Sequence, residues 1–105
     1  MNQNISKAFQ TFNTEAPEHA KAWSQMVAGI AEANVLDKKT TALIYIGVLA
    51  ALGMENGIPF HVGLAKQAGA TKQEIVHAAL VALPPAGHKV TQVLPLIIES
   101  YDGWK

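Results

Sequence analysis

Between residues 15 and 33, apolar side chains return at steps of three and four: Ala16, Ala20, Trp23, Met26 or Val27, and Ile30. That spacing lays one apolar stripe along a helix. Thr14 suits its N-cap, Pro17 fits the first turn, and Glu15 and Glu18 match the positive helix end. A shorter helix is expected in the first dozen residues, with Ile5, Phe9 and Phe12 on one side. Asp37 caps a third helix over residues 38–54, whose centre, ALIYIGVLAALG, is apolar on every side. An external helix cannot be apolar all round. Either this helix is central to a small domain, or a neighbouring subunit covers part of it, and the small size of the chain favours the second. Gly47 in its middle costs about 1 kcal/mol against Ala, which close approach of another helix would offset; an unremarkable, tolerated Gly is the alternative.

The segment Glu55-Asn56-Gly57-Ile58-Pro59 breaks the pattern, with Gly57 permitting positive φ and Pro59 setting the first turn of a fourth helix over 59–67. Gly69 ends that helix. Thr71 with Glu74 forms a capping box for a fifth over 72–83, which Pro84-Pro85 stops. Residues 87–101 are helical in pattern, with a kink expected at Pro95. Strand signals and internal repeats are absent. The expectation is an all-α bundle of five to six helices forming one domain over residues 1–105.

Composition narrows the function. Half of the 105 residues are hydrophobic and 15% are charged, which is unlike a disordered tail. Eight basic residues balance eight acidic ones without any block of like charge, which argues against nucleic acid as a partner. All the basic residues are Lys, so no guanidinium can grip a carboxylate in bidentate fashion. Without Cys, disulfides, thiolate catalysis and thiolate metal ligands are excluded. The longest apolar run, residues 42–53, falls short of the roughly 20 residues that span a bilayer. The expectation is a cytoplasmic protein without membrane contact.

Four His and a few carboxylates remain for chemistry near neutral pH. His19 and His77 lie beside polar neighbours and read as solvated. His61 follows the Gly57–Pro59 break between Phe60 and Val62, facing the junction of two apolar helices. Desolvation and the helix N-terminus both favour its neutral form there. That suits a general base or hydrogen-bonding electrophile, and equally a core His bonded to a backbone carbonyl. Glu55 is the carboxylate nearest in sequence, either pairing with His61 across the turn or standing in solvent. His88 lines the same cavity or caps its loop. No His-x₃-His or His-x-x-Glu pair points to a metal, and no cofactor is expected.

The stretch LDKKTTALIYIGVLAALGMENGIPFHVGLAKQAG, residues 36–69, continued by ATKQEIVHAAL, resembles the core of the carboxymuconolactone decarboxylase-like family, which includes the alkylhydroperoxidase-D-like proteins. The matching parts are a Lys-Thr start to a long apolar helix, a short break, a His, an Ala-rich turn and GAT-x-x-E-I. In the peroxidase branch the break carries Cys-x-x-Cys, followed after three residues by His. Those cysteines fall on Met54 and Gly57, and the His falls on His61. Both thiols are missing, so thiol peroxidase chemistry is excluded.

The decarboxylase branch lacks the cysteine pair and keeps a His here. The resemblance therefore implies a lyase with His61 as proton carrier, assisted by Glu55 or His88, and a pocket lined by Met54, Gly57 and Phe60. The segment LPPAGHKV matches the decarboxylase turn only in part. Family members are commonly trimers or hexamers, so a homotrimer or homohexamer binding a small molecule is implied. A non-catalytic oligomer that binds a small ligand is the alternative.

Overall fold

A computed structural model of the chain describes residues 5–104. Seven α-helices and two 3₁₀ turns follow one another, and no strand occurs among the described residues, so the chain is all-α as the patterning predicts. Helix α1 (Lys7–Glu15) leads directly into α2 (Pro17–Ala33), then α3 (Lys38–Leu52), a 3₁₀ turn (Glu55–Gly57) and α4 (Ile58–Gln67). Next come α5 (Lys72–Leu80), the single turn α6 (Leu83–Ala86), a second 3₁₀ stretch (His88–Val93) and α7 (Leu94–Gly103). The start of the first expected helix, residues 1–4, lies outside the described residues.

One apolar core joins α3 to α7. Helix α3 packs on α4 and α5, and α7 packs on both of those. Ile46, Ile58, Val62, Ile75, Val90, Val93 and Ile97 are fully buried between them. Gly47 allows the close approach expected of it: a Cβ there would lie 3.0 Å from the carbonyl oxygen of Ala78 on α5. Lys66 on α4 ties down the end of α7. Its Nζ donates to the carbonyls of Tyr101 (2.8 Å) and Trp104 (3.2 Å) and lies 4.3 Å from the centre of the Tyr101 ring. A cation is favoured at a helix C-terminus and over an aromatic face.

Several start and stop signals behave as expected. Asp37 accepts a 2.7 Å hydrogen bond from the Thr40 N–H. That bond holds its carboxyl below the usual carboxylate range, with the Thr40 hydroxyl and Lys39 adding to the effect. Thr71 and Glu74 form both halves of the capping box.

Other boundaries differ. Thr14 is not the cap of α2: it sits in the last turn of α1, its hydroxyl donating to the Gln10 carbonyl, and Ala16 occupies the cap position. Gly57 has an ordinary φ of −86°, and the left-handed residue is Gly53 (φ 69°), which ends α3 two residues before the expected place. Gly57 serves space instead, since a Cβ there would lie 3.3 Å from Leu49 Cδ1. Helix α5 stops at Leu80 rather than at 83. Pro84 and Pro85 have no N–H to give to carbonyls four residues back, so the chain turns and both prolines fall within the short α6. Pro95 does not kink a continuous helix. The segment before it tightens to 3₁₀ and Pro95 enters the first turn of α7.

The α1–α2 pair stands apart from this core. Phe9 and Phe12 pack on Trp23, with ring centres 5.3 and 6.4 Å apart, yet Ala20 is the sole buried residue of α2. Beyond Ala20 and Trp23, the expected stripe of α2 faces outward at Met26, Val27 and Ile30, the last 62% exposed. The outer side of α3 is likewise uncovered at Ile44, Tyr45, Val48 and Leu52. No helix among the described residues is long and apolar enough to cross a membrane.

Candidate functional site

Gly53 and the 3₁₀ turn at 55–57 reverse the chain so that the start of α4 lies against α3. This reversal brings His61 on α4 face to face with Tyr45 on α3. The ring centres are 3.8 Å apart and the planes 15° from parallel. Phe60 meets the imidazole edge-on at 5.2 Å. A Cβ at Gly57 would stand 3.8 Å from His61 Cδ2, so the small residue lets the ring settle against the turn. His61 is half-buried, and loss of water pushes its pKa from 6.5 down to about 4. Burial disfavours the charged imidazolium, so the ring is neutral at pH 7 and offers one N–H donor and one bare nitrogen. Among the described residues none hydrogen-bonds the imidazole.

The other candidates are dispersed. Glu55 is exposed and neither bonds nor ion-pairs with His61. It lines a separate groove of about 450 Å³ with Ile5, Lys7, Asn56, Pro59 and Leu96. His88 is exposed at the start of the second 3₁₀ stretch, where its carbonyl accepts from the Thr91 hydroxyl. Met54 is also exposed, at the turn. Gly57 and Phe60 do adjoin His61. His19 and His77 are exposed, as expected of them. Among the described residues, no three His, Asp or Glu side chains converge on a common point.

Sequence reasoning passed over Tyr45. It is the sole residue with a polar tip in the apolar run of α3, and that was the available signal. Beyond stacking on His61, Tyr45 forms the floor of a second groove, of about 380 Å³, along the outer side of α3. Leu36, Ile44 and Val48 make its apolar walls, and Asn34 and Thr41 supply its polar groups. His61 does not line this open groove and is joined to it through the Tyr45 ring alone.

An all-helical domain with an imidazole set between two core helices is thus the class that fold and site define. The chain belongs to the carboxymuconolactone decarboxylase family, whose family model matches residues 17–99. That match takes in α2 and the start of α7, beyond the stretch on which the resemblance was first seen. No curated protein and no solved structure matches the chain closely enough to add a named relative.

Proposed function

We propose that the protein is a cofactor-free enzyme of this family. It acts on a small, apolar-bodied carboxylic acid by decarboxylation or lactone processing, and it works as an oligomer of identical subunits. The observation that carries this reading is the state of His61: half-buried, neutral and stacked on Tyr45, with no hydrogen bond to its nitrogens among the described residues. In a decarboxylation, the bond to the carboxylate carbon breaks and CO₂ leaves. The electron pair moves toward a neighbouring carbonyl, and a proton is finally delivered to carbon. The imidazole N–H stabilises the oxygen where charge gathers and then gives its proton to carbon, while the bare nitrogen takes one proton from solvent, so the ring ends neutral. Thiol peroxidase chemistry has no place here, because the chain has no Cys. Glu55 and His88 are exposed, and neither hydrogen-bonds His61 among the described residues.

A second reading, a ligand-binding oligomer without catalysis, draws on the apolar groove over Tyr45. Turnover of 4-carboxymuconolactone, followed by absorbance for wild type and His61→Ala, separates the two. Activity that disappears in the variant supports the enzyme. Binding by calorimetry with no turnover in either protein supports the ligand-binding reading.

A further inference from the structure

The cationic side chains of this chain are all Lys, and those among the described residues are engaged elsewhere or stand in solvent. Lys39 pairs with Glu74 (2.9 Å) and Lys72 with Asp102 (3.0 Å), while the carbonyls of Tyr101 and Trp104 hold Lys66. Lys7 lines the groove of Glu55, and Lys21 and Lys89 are exposed on α2 and the second 3₁₀ stretch. Lys38 stands two turns before Tyr45, about 10 Å along α3 at 1.5 Å per residue. Like any helical side chain, it leans toward the N-terminus and so away from the site.

The surroundings of His61 are uncharged. Tyr45, Phe60 and Gly57 adjoin it, and Leu49 on α3 packs against Gly57. Burial alone lowers its pKa, where a Lys or carboxylate close by would add a push of its own. The start of α4 gives little to an anion either. The Ile58 N–H is bonded to the Glu55 carbonyl, and Pro59 has no N–H.

Resting on His61 as the reactive group, we infer that the substrate of this site carries one carboxylate, the one that leaves as CO₂, on an otherwise uncharged body. A carboxylate beta to a carbonyl, on an aromatic or aliphatic frame, is the class that fits. The departing carboxylate gives up its charge: the bond to its carbon breaks, CO₂ leaves, and the electron pair moves to the carbonyl oxygen before carbon takes a proton from the imidazole. Poor solvation of that group favours the step. A second carboxylate keeps its charge throughout and finds no cation beside His61, so it must be desolvated unpaired. 4-Carboxymuconolactone retains a carboxylate after losing CO₂ and belongs to this disfavoured class, turned over more slowly than a monoacid.

Acetophenone and 4-acetylbenzoate, the ketones left by benzoylacetate and its 4-carboxy analogue, differ in the spectator charge and bind without reacting. Followed by the NMR shift of the His61 Cε1 proton, acetophenone is expected to bind about tenfold tighter than 4-acetylbenzoate. Turnover of the two keto acids, followed by CO₂ release, is expected to show a similar ratio in kcat/KM and to disappear in His61→Ala. Val48→Lys places an ammonium one turn beyond Tyr45, leaning back over it, and is expected to narrow the ratio; Val48→Met, without the charge, is expected to keep it. Equal or tighter binding of 4-acetylbenzoate by the wild type overturns the inference, because a cation then serves the site. So does a His61 signal that neither ketone moves. A ratio that Val48→Lys leaves unmoved makes size the selector instead of charge and overturns it as well. A binding preference without turnover of either acid upholds the uncharged body and removes the enzyme reading. Turnover of both acids at equal kcat/KM removes the inference and keeps the enzyme.

Discussion

The imidazole of His61 lies flat on the phenol ring of Tyr45, 3.8 Å between centres, joining α3 to α4. Stacking on an electron-rich ring would favour the protonated imidazolium, yet the pKa is pushed down to about 4. Burial is the cause of that depression. Tyr45→Ala is expected to admit water and raise the His61 pKa by at least one unit toward 6.5, measured by NMR titration of the His61 Cε1 proton. An unchanged value would show that α4 and its neighbours supply the burial without Tyr45.

The same depression makes folding sensitive to acid. The unfolded chain binds the His61 proton at about pH 6.5, while the folded chain binds it near pH 4. Stability is thus unaffected above pH 6.5 and falls as pH drops through that interval, because protons favour the unfolded state. His61→Phe keeps an aromatic ring against Tyr45 but cannot titrate. Thermal melts at pH 7.5, 6 and 4.5 are expected to show wild type losing Tm more steeply than this variant. Equal slopes would remove His61 as the source.

Gly47→Ala sets two effects against each other. Helix propensity favours Ala by about 1 kcal/mol, but the new methyl would lie 3.0 Å from the Ala78 carbonyl oxygen. Overpacking of this kind costs about 1–3 kcal/mol, and a backbone oxygen in a helix has little room to retreat. A net loss of about 1 kcal/mol is expected in the urea midpoint. A gain in stability would mean that α3 and α5 can part at small cost.

Thr71→Ala removes the hydroxyl that accepts from the Glu74 N–H and is expected to cost about 1 kcal/mol by thermal melting. Glu74 is held below its ordinary pKa first by the Thr71 N–H and then by Lys39, 2.9 Å away. Its contribution is present above its ordinary value of 4.5 and disappears as pH falls through the lowered one. Glu74→Gln is therefore expected to flatten the acid limb below pH 4.5, leaving the His61 interval at higher pH unchanged.

What the sequence made legible was mostly what is settled within four residues. Asp37 with Thr40, and Thr71 with Glu74, are local bargains between a side chain and the next turn, and each formed as expected. Gly47 was legible as a gap in an apolar helix. Thr14 misled because a hydroxyl can cap a helix ahead or bond to the carbonyl of the turn behind, and sequence does not choose between them. The prolines at 84, 85 and 95 were read as breaks, but each also fits the start of a new turn. The candidate site was half legible. His61 stood out by its position after the break, whereas Tyr45 comes to it only after Gly53 and the 3₁₀ turn reverse the chain. Glu55, near in sequence, is carried to a different groove by that same reversal.

The bend between α2 and α3 is held by Asn34, whose side-chain oxygen accepts from the Leu36 N–H and whose amide donates to the Thr41 hydroxyl. Both bonds need the spacing of residues 34–37, so one residue added there is expected to break the bonding of this corner while leaving each helix whole. The direction in which α2 leaves the core is thus set by four residues that belong to neither helix.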